Sequence, residues 1–174
     1  CFVSVFLEDG FRNTYIGDEA IAEAAISIIK YPITNGVVTN WDDMEKIWNY
    51  VFYNKLLINP SEHPILITEH AKNPKSNREK MVQIIFETFN VPSFYVAIKS
   101  NLSIYAYKRT SGIVCDIGDG VSHISPIIDN SPLLHKDIRQ NIGGYDLNNW
   151  LQELLIDRGY TFKTSAEMEI VRDI

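Results

Sequence analysis

Two short apolar runs separated by a helix-length segment constrain the fold of this chain more than any other feature. The run at 64–68 is followed by apolar residues at helical spacing within 76–91, and a second run follows at 94–98. A further helical stretch at 102–106 precedes a third run at 112–116. Alternating strands and helices are typical of a parallel α/β sheet. We therefore predict an α/β fold in which these three strands run parallel.

Three segments carry signals for helices with defined ends. One helix begins after Asn40, whose side chain can cap it, and a second begins at a capping-box pattern at 76–79 and ends before Pro92. A third helix follows the glycine pair 143–144 and ends at Gly159. These helices supply the apolar faces that a core requires.

Composition excludes several classes of partner. The chain has 174 residues, 45% of them hydrophobic, and a formal charge of −6 with the two signs interspersed. A chain without a basic patch is not expected to bind nucleic acid, and no apolar run approaches the roughly 18 residues of a membrane span. Cys1 and Cys115 give no disulfide framework, which favours a reducing compartment.

The strongest chemical candidate is a glycine-rich turn between two strand-like arms. Asp116, Gly118, Asp119 and Gly120 form an Asp-x-Gly-Asp-Gly pattern, which predicts a β-hairpin. Glycines let backbone N–H groups approach an anion, and a carboxylate beside them can hold a hydrated divalent cation. Asp-Gly is also a common hairpin dipeptide without any ligand, so both interpretations stay open. The glycine pair 143–144 is equally either a plain turn or a phosphate-binding helix start.

Several longer stretches resemble the actin family. They occur in one register along nearly the whole chain, from about Tyr15 to Ile174. The stretches that carry the resemblance are 31–33, 36–48, 73–81, 86–90, 95–98, 109–114 and 169–174.

The actin resemblance implies a ribonuclease H-like fold of two α/β lobes that binds ATP or ADP with Mg²⁺ or Ca²⁺ in the cleft. It identifies the hairpin as the second phosphate loop of the family, which comprises Asp116, Gly118, Asp119, Gly120 and Val121. By this match both glycines face the phosphates, Asp119 faces the ribose, and Asp116 faces the water shell of the metal.

Three further positions follow from the same resemblance. Gly144 falls close to the nucleotide, and His123 falls near the water that attacks the γ-phosphate. Lys99 stands where the family carries a glutamine that positions this water. Because lysine has three donors and no acceptor, it cannot accept a hydrogen bond from water. Whether the complete protein is an ATPase is therefore left open by the sequence.

The resemblance also implies how the chain is divided. Residues 1–31 correspond to a small loop-rich subdomain with a subunit-docking loop at 2–12, and 32–106 to the rest of the first lobe. Residues 107–142 carry the phosphate hairpin of the second lobe, and 143–174 begin its outer helical subdomain. We expect this chain to be an internal fragment that contains one half of the nucleotide cleft. The fragment alone is expected to hold no nucleotide.

The expected function is that of a cytoplasmic, cytoskeletal actin-like protein that binds ATP and forms filaments in its complete form. Its expected partners are other actin subunits and actin-binding proteins. A degenerate actin-related scaffold without ATP turnover is the alternative, which Lys99 keeps open. An ATPase of the wider sugar-kinase and chaperone superfamily is a third reading, against which the sequence at 41–46 argues.

Overall fold

A computed structural model describes residues 4–6, 14–17, 19–20, 28–162 and 164–174. Helices α1 to α5 span Trp41–Tyr50, Lys75–Glu87, Lys99–Ala106, Gly144–Asp157 and Ser165–Asp173. A π-helical turn at Val51–Lys55 continues α1, and a 3₁₀ turn covers Pro60–Glu62. Strands β1 to β11 are Ser4–Phe6, Thr14–Ile16, Ile28–Lys30, Ile33–Thr34, Val37–Val38, Ile65–Glu69, Phe94–Ile98, Gly112–Ile117, Ser122–Ile128, Ser131–Pro132 and Ile138–Gln140. Among the helices so described, none is long and apolar enough to cross a membrane.

The first sheet is small and antiparallel, with β1 between β2 and β3. Its central strand, Ser4–Phe6, falls within the segment 2–12 that the resemblance assigns to a subunit-docking loop. The other residues of that segment, 2–3 and 7–12, lie outside the described residues. A two-stranded hairpin of β4 and β5 follows and leads into α1.

The main apolar core lies between α1 and α2. Its spacing follows the helical period, because residues three and four apart share one face of a helix. The buried side chains that the two helices contribute are Met44, Ile47, Trp48, Met81, Ile84 and Ile85. Phe52 and Phe89 close one end of this core, with their rings edge to face and their centroids 5.1 Å apart.

The two helices of the core begin differently. The Asn40 side chain accepts a hydrogen bond from the Asp43 amide at 3.1 Å, which confirms the predicted cap of α1. The predicted capping box at 76–79 is wrong, because α2 begins at Lys75 without a side-chain cap. Pro74 precedes it with φ of −55°, and its carbonyl accepts from the Asn77 amide at 3.0 Å. The fixed φ of proline thus starts the helix before Ser76 can cap it.

Only two of the three expected parallel strands pair in that way. β6 and β7 are parallel, in register from Ile65 opposite Phe94 to Glu69 opposite Ile98. The expectation that the third run joins them is wrong, since β8 pairs antiparallel with β9 in a separate sheet. Residues along β8 alternate between half-buried and exposed, which is typical of an antiparallel strand with one covered face. The short turn between β8 and β9 also costs less loop-closure entropy than pairing β8 with a strand farther along the chain would.

The sheet of β8 to β11 is organised around β9. β9 pairs with β8 along its length, and on its other side it pairs first with β11 and then with β10. Helix α4 follows this sheet and ends before Gly159, whose φ of +94° confirms the predicted glycine stop. Thr164 caps helix α5, because its hydroxyl accepts from the Glu167 amide at 3.3 Å.

Candidate functional site

The glycine-rich hairpin forms where the sequence predicts it. β8 ends at Ile117, β9 begins at Ser122, and the Gly118 amide donates to the Val121 carbonyl at 3.0 Å to close the turn. Val121 is 3% exposed and anchors the turn in the interior. The turn between the two strands is therefore fixed at one end by packing and across its base by a backbone hydrogen bond.

The hairpin turn and the glycine pair 143–144 lie against one another. The Gly144 amide donates to the Gly118 carbonyl at 3.0 Å, and the Tyr145 amide donates to the Asp119 carbonyl at 2.8 Å. A Cβ atom added at Gly143 would lie 2.2 Å from the Asp119 carbonyl oxygen. No side chain fits between these two segments, so glycine is required for this backbone contact. The structure thus brings the two sequence-predicted glycine elements into one unit.

The Asp116 carboxylate is held by a cationic side chain. The Lys99 Nζ lies 3.0 Å from Asp116 Oδ1 and 2.9 Å from Oδ2, so that one ammonium group contacts both oxygens. The His70 Nδ1 lies 3.8 Å from Oδ2 on another side. Burial is the main cause that lowers the pKa of His70, with a smaller lowering from His123 and an opposing effect of Asp116. His70 is therefore neutral at pH 7, and Lys99 supplies positive charge at this carboxylate.

His123 belongs to a buried polar cluster next to this ion pair. Its Nδ1 lies 3.2 Å from Asp137 Oδ2, and the Ser125 hydroxyl donates to the other oxygen of the same carboxylate. The His123 and His70 rings stack with centroids 4.7 Å apart. The contact with the Asp137 carboxylate favours the tautomer with its proton on Nδ1, in which Nε2 is the acceptor of the ring.

Two buried polar atoms face a small cavity in this cluster. His123 Nε2 and Ser100 Oγ have no hydrogen-bond partner within the described part of the chain. Both residues line a cavity of about 10 Å³ that Lys99 and Asp116 also border. A cavity of this size accommodates about one water molecule, and unpartnered buried polar atoms are costly without one. The cluster is therefore suited to a water molecule, which can donate to His123 Nε2 and bond with Ser100 Oγ.

A larger cavity lies on the other side of the hairpin turn. It has a volume of about 470 Å³ and is bordered by Asp119, Gly120 and Tyr145 on one wall and by Tyr31 and Asn35 on the other. The Tyr31 hydroxyl lies 3.2 Å from Glu169 Oε1, and burial and Glu169 raise the pKa of this phenol to about 12. The volume is within the range of small-molecule sites.

The residues at this site fit an anion better than a resident metal ion. Asp116 is the residue that the resemblance assigns to the water shell of a cation, but both of its oxygens already contact the Lys99 ammonium. Within the described ranges, no three His, Cys, Asp or Glu residues are grouped to hold a metal ion. A backbone turn of glycines with an ammonium beside it instead suits phosphate groups.

Sequence reasoning missed four members of this site: His70, Ser100, Ser125 and Asp137. Ser125 had a signal, because residues two apart on a strand share a face and Ser125 follows His123 by two. Asp137 is 6% exposed and reaches the site from the segment before β11, which pairs with β9. No pattern within 131–140 indicates that this carboxylate is buried.

The fold and the site together define an α/β protein with a glycine-rich hairpin turn that packs against a second glycine turn at the start of α4. The family model for actin matches residues 3–172. The chain therefore belongs to the actin family, as the sequence resemblance indicates, and its mixed α/β architecture is that of a partial actin-like fold.

Proposed function

We propose that the complete protein binds an adenine nucleotide, ATP or ADP, with its phosphates against the hairpin turn 118–121, and that it assembles into filaments. The observation that carries this proposal is the glycine unit, in which Gly144 and Tyr145 bond backbone to backbone with the turn. Two further observations support the proposal. The chain belongs to the actin family, and the Lys99 ammonium and the unpartnered atoms His123 Nε2 and Ser100 Oγ lie beside the hairpin. Nucleotide, when bound, supplies a terminal phosphate that water can attack.

The residues of this chain give each part of the site a role. In this proposal Gly118 and Gly120 allow the backbone to approach phosphate oxygens, Asp119 faces the ribose, and Gly144 is close to the nucleotide. His123, with its proton held on Nδ1 by Asp137, offers Nε2 as an acceptor toward a water. Lys99 offers donors alone, so it stabilises negative charge without orienting the water as an acceptor.

A second function has one specific observation in its favour. Because Lys99 offers no acceptor and contacts both oxygens of Asp116, turnover is expected to be slow even if ATP binds. The protein would then act as an actin-related scaffold that binds other actin subunits or actin-binding proteins of the cytoplasmic cytoskeleton without ATP turnover. The two functions differ in phosphate release, not in fold.

The test uses the full-length protein that carries this sequence. Equilibrium binding of a fluorescent ATP analogue, phosphate release and sedimentation of polymer are measured on the same preparation. We expect saturable nucleotide binding and sedimentable polymer, with faster phosphate release from Lys99→Gln than from the unchanged protein. The control Lys75→Gln alters an exposed lysine of α2 that pairs with Glu79 and should change none of the three. Absence of saturable binding would exclude the nucleotide proposal, and binding without phosphate release in either form would favour the scaffold.

A further inference from the structure

In the ion pair of Lys99 and Asp116, one ammonium group contacts both carboxylate oxygens. The two contacts are 3.0 Å to Oδ1 and 2.9 Å to Oδ2. The Asp116 side chain is 22% exposed, so water screens this pair less than a pair on the open surface. The exposed pair of Lys75 and Glu79 on α2 has a single contact of 3.3 Å and side chains that are 89% and 64% exposed.

The backbone holds the two charged residues in place. Lys99 is the first residue of α3 and directly follows β7, whereas Asp116 lies near the end of β8. Asp116 is the register partner of His123, so that both side chains lie on one face of the hairpin. The start of α3 therefore positions the Lys99 ammonium against the Asp116 carboxylate of the β8–β9 hairpin.

A divalent cation would compete with this ammonium for the same oxygens. A hydrated Mg²⁺ keeps its waters in octahedral geometry and uses a carboxylate as an acceptor for them. Both oxygens of Asp116 already contact the Lys99 ammonium, and a second cation beside the ammonium would be repelled. The Lys99 side chain is nevertheless 47% exposed, which leaves it accessible to an anion on its open side.

We propose that the Lys99 ammonium takes the place of a divalent cation at Asp116, so that the phosphate chain of a nucleoside di- or triphosphate binds here without requiring a metal ion. This inference rests on the proposed nucleotide function and specifies how that site neutralises phosphate charge. Lysine is suited to the role, because it is a compact point charge with three donors and binds phosphate without the geometry that a bidentate group imposes.

The experiment measures ATP binding by the full-length protein in buffer with Mg²⁺ and in buffer with EDTA. For the unchanged protein we expect dissociation constants that agree within about threefold between the two buffers. Lys99→Met removes the charge but keeps the length of the side chain, so binding in EDTA should weaken about tenfold or more while Mg²⁺ restores most of it. Lys99→Arg retains the charge and should bind ATP in EDTA better than Lys99→Met. The control Lys75→Met removes an exposed ammonium of α2 and should behave as the unchanged protein does.

The outcomes separate this inference from the proposed function. Loss of ATP binding by the unchanged protein in EDTA, with binding retained in Mg²⁺, overturns the inference and leaves the nucleotide function intact. Failure to bind ATP in either buffer overturns both. Equal affinities of Lys99→Met in the two buffers also overturn the inference, and if that variant does not fold, the comparison of the unchanged protein between Mg²⁺ and EDTA still decides it.

Discussion

The core between α1 and α2 and the cluster around His123 are both buried, but their chemistry is opposite. Ile47 and Ile85 in the core are 0% exposed and contact apolar neighbours. His123 and Ser125 are each 3% exposed, and both contact the carboxylate of Asp137. The core is stabilised by apolar area removed from water and by close packing, whereas the cluster depends on the hydrogen bonds that His123 and Ser125 make to Asp137.

This difference has a consequence for substitutions. A core side chain can be exchanged for another of similar volume at modest cost, because no single direction of contact is required. A member of the polar cluster cannot be exchanged in this way, since its loss leaves a buried donor or acceptor without a partner. Three measurements test whether the apolar core and the polar cluster differ in this way.

The largest effect is expected in the apolar core. Ile85→Ala should lower the free energy of unfolding by about 3 kcal/mol, because it removes fully buried methylene groups and leaves a cavity. The comparison variant is Phe86→Ala, whose side chain is next along α2, is 42% exposed and contacts Phe94 edge to face, with a smaller expected loss of about 1 kcal/mol. Urea unfolding followed by circular dichroism measures both. Equal losses for the two variants would mean that burial on α2 does not determine stability.

A smaller effect is expected in the polar cluster. Asp137→Ala should lower the free energy of unfolding by about 2 kcal/mol, because the His123 Nδ1–H and the Ser125 hydroxyl lose their acceptor. Asp157→Ala, at an exposed position near the end of α4, should change stability by no more than about 0.5 kcal/mol. The same urea titration compares them. If Asp137→Ala is as stable as the control variant, the cluster does not depend on its carboxylate.

The smallest effect is a pH dependence confined to the polar cluster. Burial lowers the pKa of His70 below its ordinary value of 6.5, so the unfolded chain binds a proton there more readily than the folded chain. The contribution of neutral His70 to the free energy of unfolding is therefore fully present above pH 6.5. It decreases as the pH falls from 6.5 through the lowered pKa. His70→Asn should make stability less sensitive to pH between about 7.5 and about 5.5, as measured by urea midpoints. His63→Asn, at an exposed position, should keep the original dependence, and identical slopes for both variants would contradict the buried neutral state of His70.

The same two regions differ in how far the sequence predicts them. The apolar positions of α1, the Asn40 cap, the glycine stop of α4 and the hairpin at 118–121 follow from periodicity and turn chemistry, which are local properties. The capping box of α2 was predicted wrongly because Pro74 acts at the neighbouring position. The placement of the third strand was predicted wrongly because β8 pairs with β9, to which a short turn connects it at low loop-closure cost.

The sequence by itself determined the helices, the hairpin, the glycine positions and, through several long stretches, the actin family. Only the tertiary structure decided that Lys99 contacts Asp116, that His70 stacks on His123, and that Asp137 orients His123. The reason is physical: periodicity and turn propensity act over a few residues, whereas these polar contacts join side chains 14 to 53 positions apart. Burial then makes each contact obligatory, because a desolvated polar group has no water with which to replace a lost partner.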